Sequence, residues 1–135
     1  MAEKVLTMEV VTPERHVLTT DTNGIVVPAH EGYLGVLYNH APLVTILDTG
    51  ILRYSLDGKV ERMAVCGGFM EVDENKIIIL ADTAELAEEI DVARAMDSKR
   101  RAEDRLRQMG EKVDEARAQA SLQRAIARIK ASGKE

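Results

Sequence analysis

The chain has 135 residues, of which 45% are hydrophobic and 30% charged, with a formal net charge of −5. That is room for one ordinary domain or a small domain with an appendage; the balance excludes bulk disorder, and the acidity argues against nucleic-acid binding. No apolar run approaches the ~20 residues needed to cross a bilayer, and Met1-Ala2-Glu3-Lys4 leads straight into a strand-like segment, so neither direct membrane insertion nor a signal peptide is expected.

The chemistry of the chain changes near residue 84. All three prolines (Pro13, Pro28, Pro42) and seven of nine glycines precede that point, and Lys plus Arg number 6 against 12 Asp plus Glu before it but 12 against 11 after it. Residues 1–84 are therefore expected to form one domain and residues 85–135 another. In the first, Leu6, Met8 and Val10 alternate with Thr7, Glu9 and Val11, the period of a half-buried strand. Short strand-like runs follow at Val17-Leu18, Ile25 to Val27, Leu34 to Leu37 and Leu43 to Leu47. Asp57-Gly58 between ILRYSL and KVERMAV signals a two-residue hairpin, because both central positions of that turn need positive φ. FMEV, DENK and IIIL spell a second hairpin. Eight or more short strands in about eighty residues predict a sandwich or flattened barrel. With no Trp and Phe69 the only Phe, its core must come from Val, Ile, Leu, Ala and Met.

The second half has no proline, and its glycines are Gly110 and Gly133. Leu86, Ile90, Ala93, Met96, Ala102, Leu106 and Met109 recur at three- and four-residue spacings, and so do Val113, Ala116, Ala120, Leu122, Ile126 and Ile129. Gly110 is the natural break between two helices. The expected fold class is thus α+β: an N-terminal antiparallel β-sandwich followed by a C-terminal antiparallel two-helix hairpin. Alanine stripes let helices approach closely but bury little area, so such a hairpin is weakly held and able to leave its docking surface.

Catalytic constellations are absent. His16, His30 and His40 match no metal-binding spacing, Cys66 stands alone, and no Gly-rich loop runs into Lys-Ser/Thr, so neither catalytic nor metal-ligating residues are assigned. Gly67-Gly68 reads as a sheet bend or close backbone contact rather than a ligand cradle. The segments EGYLG (31–35) and NHAPL (39–43) carry turn residues, and Glu31 and His40 are their candidate partner contacts.

Arginine spacing is more informative. Asp91 and Arg94 share a helical face with Arg101, while Arg124 and Arg128 are one turn apart on the second helix. Folding about Gly110 returns Arg124 and Arg128 to the level of the first helix's opening turns, beside Asp91 and Glu85. Guanidinium forks suit phosphate oxygens. On spacing alone, a solvated face of ion pairs is the better account.

Taken in order, EGYLGVLYNHAPLVTILDTGILR, CGGFMEV, ILADTAELAEEIDVARA and the Ala-rich hairpin resemble the epsilon subunit of the F-type ATP synthase over essentially the whole chain. IDVARA at 90–95 is similar to that family's ATP-binding signature. The resemblance implies ATP contacts for Ile90, Asp91, Arg94 and Ala95, and extends to Glu85, Arg101, Arg124 and Arg128. It shifts the balance toward a nucleotide site. Tyr38-Asn39 replaces the family's Pro-Gly, and Asn tolerates the left-handed conformation that Gly would supply. One end of the family's sandwich faces the c-ring, which makes Glu31, Gly32 and His40 interface candidates.

The resemblance further implies a rotor subunit without catalysis of its own, peripheral on the cytoplasmic face of the bacterial plasma membrane. Its partners would be the gamma subunit, the c-ring and, when the hairpin extends, the catalytic alpha/beta head. ATP is the implied regulatory ligand, with Mg²⁺ left open, and no catalytic cofactor is implied. A stand-alone ATP-sensing module and a structural adaptor with a vestigial site are the alternatives.

Overall fold

Alternation in the first half of the chain becomes eight strands in the computed structural model, which describes residues 4–108 and 115–133. They are β1 (Leu6–Val11), β2 (His16–Thr22), β3 (Gly24–Ala29), β4 (Gly32–Leu37), β5 (Leu43–Ile46), β6 (Gly50–Leu56), β7 (Lys59–Asp73) and β8 (Lys76–Leu86). Their hydrogen-bonded order is β2-β1-β8-β7-β6-β3-β4, with β5 on β7. Neighbours run antiparallel except β1 and β8, which are parallel.

KVERMAV and FMEV are not separate strands: both belong to β7. Lys59 to Val65 pair with β6, Phe69 to Val72 pair with β5, and β8 follows β7 on both stretches. Gly67 and Gly68 lie between them with φ of 69° and 105°, a region only glycine enters readily. The bend expected from Gly67-Gly68 is therefore the corner at which one sheet becomes two layers. Between those layers Leu6, Met8, Val10, Val27, Val36, Leu52, Met63, Met70, Ile77 and Ile79 form the core. Met8, Met63 and Met70 fill gaps in a core whose fully buried members are aliphatic, with Tyr54 packed at its edge.

The turns follow their residues. Asp57 and Gly58 have φ of 51° and 82°, as the hairpin requires. Glu74 and Asn75 make the second hairpin at 48° and 61°, and Asn39 sits at 65°, supplying the left-handed position. Asn39 N–H donates to Asn75 Oδ1 (2.6 Å), and Asn75 Nδ2 donates to Asn39 Oδ1 (3.3 Å), tying two turns together.

Beyond β8 a single 3₁₀ turn, Ala87–Glu89, leads to α1 (Val92–Arg107) and then α2 (Glu115–Ser132). Met109, Gly110 and Val113, expected at and around the break, lie outside the described residues. The helices do pack through small residues, but not all of those expected. Ala95 and Ala102 are buried on α1, and Ala118, Ala125, Ala127, Ile129 and Ala131 on α2, whereas Ala93, Met96, Ala116 and Ala120 are exposed. Close approach selects the narrowest surface. Ala95, Ser98 and Ala102 of α1 are therefore set against Ala125, Ser121 and Ala118 of α2, and long side chains such as Met96 are left outside. A second face of α2 docks on the sandwich through Ala131, which joins Ile51, Ala64 and Ile90 in a small cluster edged by Val92.

Candidate functional site: an arginine-lined groove

Asp91 is the N-cap of α1, and its Oδ1 accepts a hydrogen bond from Arg94 N–H at 3.1 Å. This satisfies one of the helix's unpaired amide donors. Ile90, just before it, is buried in the docking cluster, Ala95 is fully buried on α1, and the Arg94 side chain is exposed one turn before Ser98. Three of the expected arginines do converge. A groove of about 210 Å³ is lined by Ser98, Arg101, Ala102 and Arg105 from α1 and by Ser121, Arg124, Ala125 and Arg128 from α2. The alanines form its narrow floor, and the arginines project from its sides. Pockets that enclose a drug-sized ligand run to roughly 300–1,000 Å³. A groove of this size fits a compact anion such as a phosphate chain, with the rest of the ligand outside.

Where the groove meets the sandwich, Glu85 from β8 pairs with Arg128, Nε to Oε1 at 2.6 Å. That approach is poorly aligned and leaves Nε without a directed partner, so the hydrogen bond proper runs from Nη2 to Oε2 at 3.2 Å. A cavity of about 40 Å³ beneath it is lined by Thr49, Cys66, Thr83, Glu85, Arg124 and Arg128, among others. The Cys66 thiol accepts from Thr49 Oγ1 at 3.2 Å. Within the groove Arg101 donates to Asp97 and, at 3.2 Å, to Ser98 Oγ, while Arg124 donates to Ser121 Oγ at 3.0 Å. Arg105 and Arg124 have no ion pair among the described residues. Sequence reasoning missed Arg105, Ser98, Ser121 and Asp97. Arg105 and Asp97 are each four residues from Arg101, so the helical repeat was the signal.

A second feature fixes the hairpin's root. Arg15, in the β1–β2 loop, clamps Glu89 with two parallel hydrogen bonds of 2.9 and 2.8 Å and also donates to Ala84 O at 3.2 Å. Glu89 Oε1 accepts Leu86 N–H at 2.9 Å as well. The Arg15 guanidinium, and then the Leu86 amide, hold the Glu89 carboxyl below its ordinary value of 4.5. A carboxyl whose folded value is depressed stabilises the fold above its unfolded value, and that contribution is lost as pH falls through the folded value. We therefore expect Glu89→Gln to lower the melting temperature at neutral pH, with the gap to wild type closing below about pH 4. Thermal melts between neutral and acid pH check this; a gap that persists unchanged into acid would remove the clamp's role.

The interface candidates separate. Glu31 and Gly32 turn β3 into β4, whereas His40 lies beyond the other end of β4, its Nδ1 2.6 Å from Ala41 O. Six residues of strand span about 20 Å, so Glu31 and His40 do not share one end of the sandwich. A surface that uses both must run along β4. A larger apolar feature was not foreseen. Ile46 is the cross-strand partner of Phe69, Phe69 of Leu80, and Leu80 of Val11, one row across four strands. Its members Ile46, Phe69 and Leu80 are 58%, 55% and 49% exposed. Contiguous exposed apolar patches are the kind of surface that partners cover. Among the described residues no group of three or more His, Cys, Asp or Glu is placed to hold a metal, and no helix is long and apolar enough to cross a membrane.

The described residues thus form a sandwich with an exposed apolar row, carrying a two-helix hairpin docked through a small cluster. Residues 5–87 match the family model for the ATP synthase delta/epsilon chain beta-sandwich domain, and residues 88–133 match that for its long alpha-helix domain. The chain belongs to the epsilon-subunit family of the F-type ATP synthases. It is 54% identical over 106 residues to the ATP synthase epsilon chain of Pelotomaculum thermopropionicum, covering 78% of this chain and 79% of that one. It is 55% identical over 103 residues to that of Symbiobacterium thermophilum, covering 76% and 74%. A chain in the Euglena gracilis mitochondrial ATP synthase OSCP/F1/c-ring structure superposes with a TM-score of 0.81 at 22% identity, covering 98% of this chain and 83% of that one. One in the Tetrahymena thermophila mitochondrial ATP synthase central stalk/c-ring structure superposes at 0.61 and 15% identity, covering 98% and 99%. At those identities the likeness speaks for the fold.

Proposed function

We propose that this chain is a rotor subunit that couples gamma to the c-ring, and that its hairpin restrains ATP hydrolysis in response to ATP. The observation that carries the regulatory reading is the convergence of Arg101, Arg124 and Arg128 in one groove lined by both helices of the folded hairpin. Both helices contribute cations, and Glu85 ties the groove to the sandwich. A phosphate chain seated there bridges α1, α2 and, through Arg128, β8. In this reading Asp91 and Arg94, at the start of α1 and outside the groove's lining, would meet the nucleoside end, with Ile90 and Ala95 packing the backbone that carries them.

Binding to the folded form alone stabilises it by RT ln(1 + [L]/Kd), about 2.7 kcal/mol at a hundredfold excess over Kd. The large aliphatics buried in the docking cluster are Ile51 and Ile90, with Val92 at its edge. Burial of such a side chain contributes about 1.5–3 kcal/mol before ordering costs. The two magnitudes are of the same order, so ligand occupancy would shift the hairpin's position. At low ATP the released hairpin would reach along gamma to the alpha/beta head and block hydrolysis. The apolar row through Ile46, Phe69 and Leu80 supplies the surface for gamma, and the β3–β4 turn with Glu31 and Gly32, or the loop with His40, that for the c-ring. In this role the chain sits at the cytoplasmic face of the bacterial plasma membrane.

The test is calorimetric titration of ATP, with and without Mg²⁺, into the full chain, together with alkylation of Cys66, which lies beneath α2. ATP is expected to release heat and to slow alkylation. Arg124→Ala combined with Arg128→Ala is expected to weaken binding by at least about a hundredfold, since each charge-assisted contact contributes about 1.5–3 kcal/mol. No heat at millimolar ATP in the wild type would leave the hairpin a fixed adaptor, and failure to co-purify with gamma would leave a stand-alone module.

A further inference from the structure

We propose that Asp97 is a tethered competitor for the groove, a carboxylate that occupies Arg101 where a phosphate would bind and so sets the affinity of the site. The inference rests on the groove's being a phosphate site, as proposed above. Four guanidiniums line the groove, those of Arg101, Arg105, Arg124 and Arg128. They are not equivalent. Asp97 accepts from Arg101 Nη1 and from Arg100, whose side chains reach back along α1 toward it. Arg101 Nη2 is turned the same way, onto Ser98 Oγ at 3.2 Å. Arg128 is held by Glu85. Among the described residues Arg124 meets the neutral Ser121 hydroxyl and no carboxylate, and it and Arg105 carry the charge that Asp97 and Glu85 leave uncompensated.

The two competitors differ in what they do. Glu85 belongs to the sandwich, so its pair with Arg128 also holds the hairpin down; both side chains are half-buried. Asp97 is on the same helix as Arg101, one turn away, and its pair joins no two elements. It gives nothing to docking; besides Arg101 it holds Arg100, which does not line the groove. An incoming phosphate chain must take Arg101 from this carboxylate and then sit beside its charge. Both effects weaken binding, the first by the modest strength of an i,i+4 pair, the second by like-charge repulsion that salt screens.

The experiment is titration of inorganic triphosphate and of ATP, at fixed ionic strength, into the full chain as wild type, Asp97→Asn, Asp97→Glu and Asp104→Asn. Asp104 is the control: it is on α1, pairs with Arg107 rather than with a groove residue, and its replacement changes net charge identically. Asp97→Asn is expected to tighten triphosphate about three- to tenfold, with the gain shrinking as salt rises. Asp97→Glu should stay near wild type, and Asp104→Asn should change binding less than about twofold. Helix content by circular dichroism should be the same in all four. If Asp97→Asn gains no more than Asp104→Asn, the proposal falls while the phosphate site stands. Triphosphate tightening without any ATP binding would keep the role of Asp97 and overturn the ATP reading. No binding of either ligand by any variant up to about 10 mM would overturn both.

Discussion

Gly68→Ala is expected to destabilise the sandwich by about 3–5 kcal/mol, a large share of the roughly 5–15 kcal/mol by which domains are stable. A Cβ at Gly68 would lie 2.0 Å from Leu80 O and 2.7 Å from Ala81 Cα. Both obstacles are backbone of β8, held by their own ladder with β7 and, at Leu80, with β1. The only relief is to part the strands at the corner where one sheet becomes two. The φ of 105° adds strain that any side chain would carry. Gly67→Ala provides the comparison. Its Cβ would meet Asp82 Oδ2 at 2.3 Å, the end of a side chain that can rotate away, and its φ of 69° is one that non-glycine residues adopt at moderate cost. Gly67→Ala should therefore cost about 1–2 kcal/mol. Urea unfolding of the two variants beside wild type checks the ranking. Equal losses, or a Gly68→Ala loss within about 1 kcal/mol, would mean that the corner opens easily and does not define the fold.

How far the fold was legible depended on whether its determinants are local. Period-two alternation marked Leu6 to Val10, and Asp57-Gly58 marked its turn, because both act within a few residues. Asn39 adopted the conformation expected of it for the same reason. The union of KVERMAV and FMEV into β7 was not legible, since a glycine pair punctuates a strand and a loop alike. Nor was the parallel pairing of β1 with β8, which joins residues some seventy positions apart by a rule of topology rather than spacing. In the helices the approximate period was right and its phase uncertain. Alanine is common on both faces, so only the three-dimensional approach distinguishes buried Ala95 and Ala118 from exposed Ala93 and Ala116. The groove's arginines were largely legible because a helix turns a spacing into a face. Asp97 and Arg105 went unread although they obey the same spacing. The Arg15–Glu89 clamp had no local signal, its partners being brought together by the fold.

Ala131→Asp is expected to lift the hairpin off the sandwich and leave the sandwich folded. Ala131 is fully buried at the centre of the cluster with Ile51, Ala64 and Ile90. An aspartate there is too short to reach water past its neighbours, and an unpaired buried carboxylate costs several kcal/mol. The cluster holds the hairpin with two isoleucines and two alanines, at about 1.5–3 kcal/mol per large side chain and less for alanine. The penalty is of the same order as what this cluster supplies, so undocking is the expected response. A negative charge in the last turn of α2 opposes the helix dipole and adds to the loss. Fraying of that turn alone is the competing outcome, and Cys66 separates the two. Its thiol lies beneath Arg124, Ala127 and Arg128, about one to two turns before Ala131, so fraying leaves it covered while undocking exposes it. Alkylation of Cys66 should accelerate at least about tenfold in Ala131→Asp, and ATP should restore less protection than in wild type, since binding must first recover the docking energy. Ala131→Ser, which adds a hydroxyl that α2's own carbonyls can accept from, should stay close to wild type. Unchanged Cys66 reactivity in Ala131→Asp, with β content retained, would show that contacts other than this cluster hold the hairpin. The Arg128–Glu85 pair would then be the restraint to break, and Glu85→Gln, which removes its charge and keeps its shape, should release Cys66 instead.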